Sequence, residues 1–495
     1  MSIFDKLFKG KTTEAAKPAP PASSSAPARP SAPARKTHGP AQSPYDVLFA
    51  EGVAAAATQD FERAIELYDQ AIEADPSRAE TYYKRANALK DLDRLDEALA
   101  SYNDAIERKP DYAYAFCNRG FVQHRLGLLD EASHSYDRAL ELAPTDAFAH
   151  YNRALLLQDY SLWPEAVAAY DQAIECNPEF SDAYLNRALA SLYQGDFETG
   201  WRDFEWRWKN AVRLAIGDAR TFQQPLWLGE QPLAGKRLLL HSEGGLGDTI
   251  QFSRYATLCA AQGASVILEI QKPLLGLLGT LEGVTKLVAK GTALPPFDYH
   301  CPLMSLPLAF KTTPDTIPAP ASYLRADPAK VAQWRTVLGE RRRPRVGLVW
   351  SGNPNNPLDR HRTIRLADWV EHLPPDFQYF RLQRDVREED EATLESSSHI
   401  FSVDDELLDF TNTAALCECM DVVLSVDTSI AHLSGALGHK TWVLVPFTPD
   451  WRWMRDRDTT PWYPSVKLYR QKVAGDWKEL FARVATDLRR EFATG

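Results

Sequence analysis

Between residues 45 and 210 the apolar and polar positions repeat with a period of 34. Tyr68, Tyr102, Tyr136, Tyr170 and Phe204 fall in register, as do Pro76, Pro110, Pro144 and Pro178. A fixed period of this length marks a stacked helical array, in which each unit buries its apolar face only against its neighbours. Small residues recur in the first helix of each unit (Gly52, Ala86, Gly120, Ala154, Ala188) and alanine in the second (Ala71, Ala105, Ala139, Ala173), so paired helices can approach closely. Each proline stands where the second helix must stop, because it lacks the amide hydrogen and clashes with the preceding turn. The predicted unit is helix, turn, helix, proline. The final unit ends in the aromatic stretch GWRDFEWRW at 200–208, which predicts a cap packed on the next domain.

From about residue 225 the pattern changes to short apolar runs alternating with amphipathic stretches, which predicts parallel sheets with crossover helices. Strands are expected at 237–241, 265–270, near 286 and near 299 in a first lobe, 225–335. A second lobe, 343–495, should hold strands at 345–350, 378–383, 421–426 and 441–445. The stretch 327–345, with three consecutive arginines at 341–343, is the expected hinge.

Each lobe carries one conspicuous turn between a strand and a helix, where sheets of this kind place ligands. In the first, SEGGLGDTIQF at 242–252, Gly244, Gly245 and Gly247 allow close backbone approach. Asp248 opens the following helix and is open to two readings, a helix cap or a carboxylate aimed into the cleft. In the second, SVDTSIAHLSGALG at 425–438, the amides of Thr428, Ser429 and Ile430 start a helix suited to a diphosphate. His432 shares a helix face with Thr428, and Gly438 is placed to end the helix. Ser351, Asn353, Arg360 and Arg362 follow the first strand of the second lobe, where a loop would reach a nucleotide diphosphate or ribose, and solvated loop charge is the plainer account of them.

The repeats resemble the tetratricopeptide repeat, carried by YDQAIEADP, YNDAIERKP, YDRALELAP and YDQAIECNP. Asn118, Asn152 and Asn186 recur one step before an arginine, with Lys84 breaking the series. Two readings stand: an amide ladder gripping an extended peptide backbone, like the one lining the repeats of O-linked N-acetylglucosamine transferase, or asparagines that satisfy helix ends inside the array.

The second half resembles the metal-independent, two-lobed (GT-B type) glycosyltransferases of the heptosyltransferase-like group that bacteria fuse to such repeats. The motifs are GGLGDTIQF with RY at Arg254 and Tyr255, VGLVWSGNP, DRHRTI, VDTSIAHLSGALG, DWRW and PWYPS. The resemblance implies a tetratricopeptide α-solenoid followed by two Rossmann-like lobes. It implies an inverting transferase in which Asp248 is the general base and Asp427, Thr428 and His432 bind the donor phosphates, with Ser429, Gln383 and Arg452 counted among the donor contacts. The co-substrate would be a nucleotide-sugar, with no cofactor and no metal. The acceptor would be a protein, flagellin being the one such relatives suggest. Alternatives are a transferase to lipopolysaccharide or surface polysaccharide and a non-catalytic adaptor that keeps the fold. Ser429 departs from the usual glycine after D-T, which leaves the donor open.

Composition narrows the picture only slightly. A 495-residue chain with 44% hydrophobic and 25% charged residues is expected to form about three folded units. A net charge of -11 argues against a general nucleic-acid partner. Six cysteines match no zinc spacing and no disulfide framework, which fits a cytoplasmic setting, and Cys417 with Cys419 are read as small buried hydrophobes. Residues 1–44, rich in Ala, Pro and Ser after a short start without a secretory signal, are expected to be a disordered tail and linker. The D-x-D of Asp456 and Asp458 is read as a surface loop rather than a metal site.

Overall fold

The computed structural model describes residues 43–210, 220–353, 359–403 and 409–492. The tail expected at 1–44 therefore lies outside the described residues except for its last two. The chain divides into two compact units, 1–183 and 184–495.

In the first unit the 34-residue period resolves into antiparallel helix pairs: Pro44–Ala57 with Phe61–Ala74, Ala79–Asp91 with Leu95–Arg108, Ala113–Arg125 with Leu129–Leu142, and Ala147–Asp159 with Trp163–Cys176. The periodic tyrosines are the keystones. Tyr68, Tyr102, Tyr136 and Tyr170 are all buried, and a Cβ added at Gly52 or Gly120 would fall 2.7 Å from the ring of Tyr68 or Tyr136. The small residue in each first helix is thus the socket for the tyrosine of the second. The periodic prolines stand two residues beyond each second helix, as the missing donor requires.

The second unit begins inside helix Ser181–Gln194, so the end of the repeat region expected at 45–210 packs with the α/β part. Trp201, in helix Phe197–Phe204, meets Phe252, Trp451 and Trp462 of the α/β part edge to face. Residues from β1 onward form two sheets. The first runs β3-β2-β1-β4 (β1 Arg237–His241, β2 Ser265–Ile270, β3 Val284–Ala289, β4 Tyr299–Pro302) and is parallel throughout. The second runs β10-β11-β9-β8-β5-β6-β7, with β5 Arg345–Val349, β6 Gln378–Arg381, β7 Ile400–Phe401, β8 Val422–Val426, β9 Thr441–Val445, β10 Thr459–Thr460 and β11 Tyr463–Arg470. Only β10 pairs antiparallel. In both sheets the winding reverses beside the first strand, between β1 and β4 and between β5 and β8, which opens a crevice at the carboxyl ends of those strands. The central strands β5, β8 and β9 of the second sheet are buried along their whole length, and Val346, Leu348, Val422, Leu424 and Leu444 share a core with Phe481 and Leu488 of helix Trp477–Phe492. The expected hinge at 327–345 is mostly helix Pro328–Leu338, capped by Asp327 and ended by Gly339 at φ +65°.

Candidate functional site

Both glycine-bearing turns sit at these crevices. After β1 the chain passes through Gly244, at φ +72°, into helix Leu246–Ser253. Asp248 is in the first turn of that helix rather than at the cap position. Its Oδ2 accepts the amide of Gly245 at 2.7 Å, and a side chain on Gly244 would strike it at 2.6 Å. After β8, Asp427 and Thr428 lead into helix Ser429–Ala436, with Thr428 as the N-cap residue and its hydroxyl 3.2 Å from that of Ser425. The two helices pack together. At their contact a Cβ on Gly247 would fall 2.8 Å from Cδ2 of His432, so glycine is required for the turns to meet.

His432 is buried, stacked on Trp453, with Nδ1 3.0 Å from the hydroxyl of Tyr463 and Nε2 3.9 Å from Asp427. Burial, reinforced by Arg452, Arg254 and Arg362, holds its pKa well below the usual value, so the imidazole is neutral. Burial pushes the Asp427 carboxyl up, against the pull of Arg362. Arg452 crosses from the second sheet to the first. Its Nε donates to Gln251 at 2.7 Å, Nη1 to Asp450 at 2.9 Å and Nη2 to Asp248. Burial alone would lower its pKa, but the carboxylates of Asp450 and Asp248 leave it raised.

The remaining donor-side residues separate. Arg362 reaches to 3.9 Å from Asp427 while donating to buried Asp359 at 2.9 Å. Ser351 is buried and Asn353 exposed. The side chain of Arg360 lies outside the described residues. Gln383 is not free to meet a donor: its oxygen accepts the amides of Trp350 (2.7 Å) and Ser351 (3.1 Å), and its nitrogen donates to Ser351 (2.8 Å) and Asp385 (3.0 Å). It shapes the loop after β5. The aromatic rings of Trp451 and Trp453 are buried packing elements.

The asparagines do not form one exposed ladder. Asn118 donates to Tyr83 (3.1 Å) and Asn87 (3.0 Å), Asn152 faces the sulfur of Cys117 at 3.7 Å, and Asn186, in the second unit, is 1% exposed. The enclosed amide of Asn186 joins helices rather than gripping a peptide, which corrects the ladder expectation for that residue, while Asn118 and Asn152 are half-buried.

Two residues of the motifs, Asp359 and Arg254, were visible in the sequence without a role, and the pairing of Arg207 with Glu243 was missed. Asp359, 1% exposed, holds both Arg362 and Arg387, and Nε of Arg387 is buried without a hydrogen-bond acceptor. Arg254, also buried, donates to carbonyls of Gln251, Pro318 and Trp462. Arg207 and Glu243 form a buried ion pair. An isolated arginine in a solvated-looking sequence gives no sign of this; only the aromatic neighbours of Arg207 hinted at burial. Among the described residues there is no group of three or more His, Cys, Asp or Glu side chains arranged for a metal, and no helix long and apolar enough to cross a membrane. Asp456 and Asp458 are exposed, Asp456 at φ +53°.

Comparison with known proteins identifies the repeats of the N-terminal region. Models of the TPR repeat match residues 54–93 and 87–127, and models of the tetratricopeptide repeat match 113–146 and 169–202. The N-terminal region therefore carries tetratricopeptide repeats. The chain is 29% identical over 317 residues to Protein FlbA of Caulobacter vibrioides, an alignment covering 59% of this chain and 52% of that protein, so it spans about half the length of this curated relative. Among solved structures it is similar to MamA from Desulfovibrio magneticus RS-1 (16% identity, 36% of this chain, 99% of that chain, TM-score 0.32). It is also similar to YrrB, a TPR protein with an unusual peptide-binding site (22% identity, 35% and 91%, TM-score 0.29).

Proposed function

We propose that residues 225–492 form a GT-B type pair of Rossmann-like lobes that transfers a sugar from a nucleotide-sugar, with inversion, to a protein acceptor recruited through the repeats. Flagellin is the acceptor we favour from the resemblance of the motifs. The observation that carries this reading is the meeting, at the crevices of two parallel sheets, of a carboxylate on one side (Asp248) with a helix N-terminus, a neutral histidine and two arginines on the other. In this reading Asp248 takes the proton of the acceptor hydroxyl as its oxygen bonds to the anomeric carbon, and the bond from that carbon to the diphosphate breaks in the same displacement. The departing charge is met by Arg362, the first amides of helix Ser429–Ala436 and a hydrogen bond from His432.

A second reading, a non-catalytic adaptor, draws on the engagement of Asp248 by both Arg452 and the Gly245 amide, which leaves the carboxylate fewer free lone pairs for a base. Nucleotide release from UDP-, GDP-, ADP- and CMP-sugars, with and without host protein fractions, separates the two. Release that depends on a protein fraction and disappears in Asp248→Ala and His432→Ala is the expected result. Release stimulated only by polysaccharide would replace the acceptor class, and no binding or turnover of any donor would leave the adaptor.

A further inference from the structure

The 3₁₀ turn Glu205–Trp208, which ends the last repeat, delivers Arg207 to the glycine turn. Arg207 is fully buried and all five of its N–H groups are used. Nε and Nη2 grip the two oxygens of Glu243 at 2.9 and 2.7 Å, Nη2 also donates to Ser305 at 2.7 Å, and Nη1 donates to Glu205 (2.7 Å) and the carbonyl of Phe204 (3.1 Å). The guanidinium lies over the rings of Phe204 and Trp208, 4.6 Å from each. Glu243, 3% exposed, also accepts the amide of Met304 at 3.2 Å and is the residue immediately before Gly244. A paired guanidinium and carboxylate fix direction as well as distance. One peptide further on, Gly244 takes a left-handed φ of +72° that favours glycine, Oδ2 of Asp248 lies 2.6 Å from where its Cβ would stand, and the amide of Gly245 holds the carboxylate.

We infer that Arg207 is a positioning residue: acting through Glu243, it sets the glycine turn and so aims Asp248, making the last tetratricopeptide unit a working part of the α/β site. The catalytic consequence rests on the transferase reading above; the control of the turn does not.

The test compares the full-length protein with Glu243→Gln, which spoils the fork, and with the pair Arg207→Met and Glu243→Leu, which removes the two fully enclosed charges together and leaves Glu205, 18% exposed, still accepting from Ser305 at 2.8 Å. Amide exchange by mass spectrometry reads the turn directly. Exchange over 243–249 should rise about tenfold or more in both proteins while peptides from β8 and β9 stay at wild-type rates. If a donor is turned over, kcat should fall about tenfold with the donor KM changed less than about twofold, as expected when only transition-state geometry is lost. Unchanged exchange at the turn, or a uniform rise across the whole unit, overturns the inference whether or not any donor reacts. Looser exchange with unchanged kcat overturns the positioning of Asp248 and leaves the transferase reading standing.

Discussion

The two units handle charge in opposite ways. In the repeats the arginine pairs lie toward the surface, as in Arg63 with Glu66 at 50% and 63% side-chain exposure or Arg138 with Glu141 at 46% and 65%, with His124 and Asp159 as one enclosed pair, while tyrosine over glycine or alanine fills the interior. In the α/β unit Arg207, Arg254 and Arg452 are buried, each paired with carboxylates or carbonyls drawn from distant segments. A buried ion tolerates no approximate partner, because desolvation must be offset by well-aligned groups, whereas a repeat needs only the right volume at the right period. The repeat unit is therefore built from interchangeable local pieces, and the α/β unit from particular long-range matches.

The comparison breaks first where the matches are deepest. Arg207→Met should strand Glu243 as an uncompensated buried charge and lower the unfolding free energy of the second unit by about 3–5 kcal/mol, read by urea titration with fluorescence. In the repeats, Gly120→Leu would drive side-chain atoms into Tyr136 and should cost the first unit about 1–3 kcal/mol; a neutral result would mean the tyrosine sockets are looser than their 2.7 Å clearance indicates.

Acid sharpens the contrast further. Burial lowers His241 to about 3 and His439 to about 4, and holds His432 low as well. The unfolded chain then binds protons near pH 6.5 that the folded chain refuses. Stability is thus fully present above that pH and declines as pH falls toward the folded values, by up to about 1.4 kcal/mol per pH unit per histidine. Asp427, raised by burial, acts in the opposite sense. Urea midpoints at pH 7 and pH 5 should differ more for the second unit than for the first, and His439→Gln should flatten that dependence. The smallest effect belongs to the repeat surface: Glu66→Ala should change stability by about 0.5 kcal/mol or less, since exposed pairs are screened and lose side-chain entropy. A loss several times larger would erase the distinction between the units.

Much of the fold was legible because its signals are short in range. The period of 34, the proline stops and the alternation of apolar strands with amphipathic helices all express contacts within one repeat or one strand-helix step, and each predicted strand is present in the structure. The glycine turns were legible too, since their residue types are demanded by local backbone geometry. The role of Gln383 was not, because a side-chain amide that completes a loop and one that awaits a ligand look alike in sequence. The asparagine positions were visible but their surroundings were not: burial at Asn186 depends on what packs over its helix.

By itself, then, the sequence determined the helical repeat, the parallel α/β character of the second half and the two turns that carry Asp248 and His432. Only tertiary structure decided that the end of the repeat region packs with the α/β part, that Arg207 anchors the glycine turn, and that Arg452 meets an aspartate 204 residues away. Periodicity and capping are properties of a few adjacent residues. A buried ion pair is a property of two remote positions that become neighbours only when water is excluded from between them.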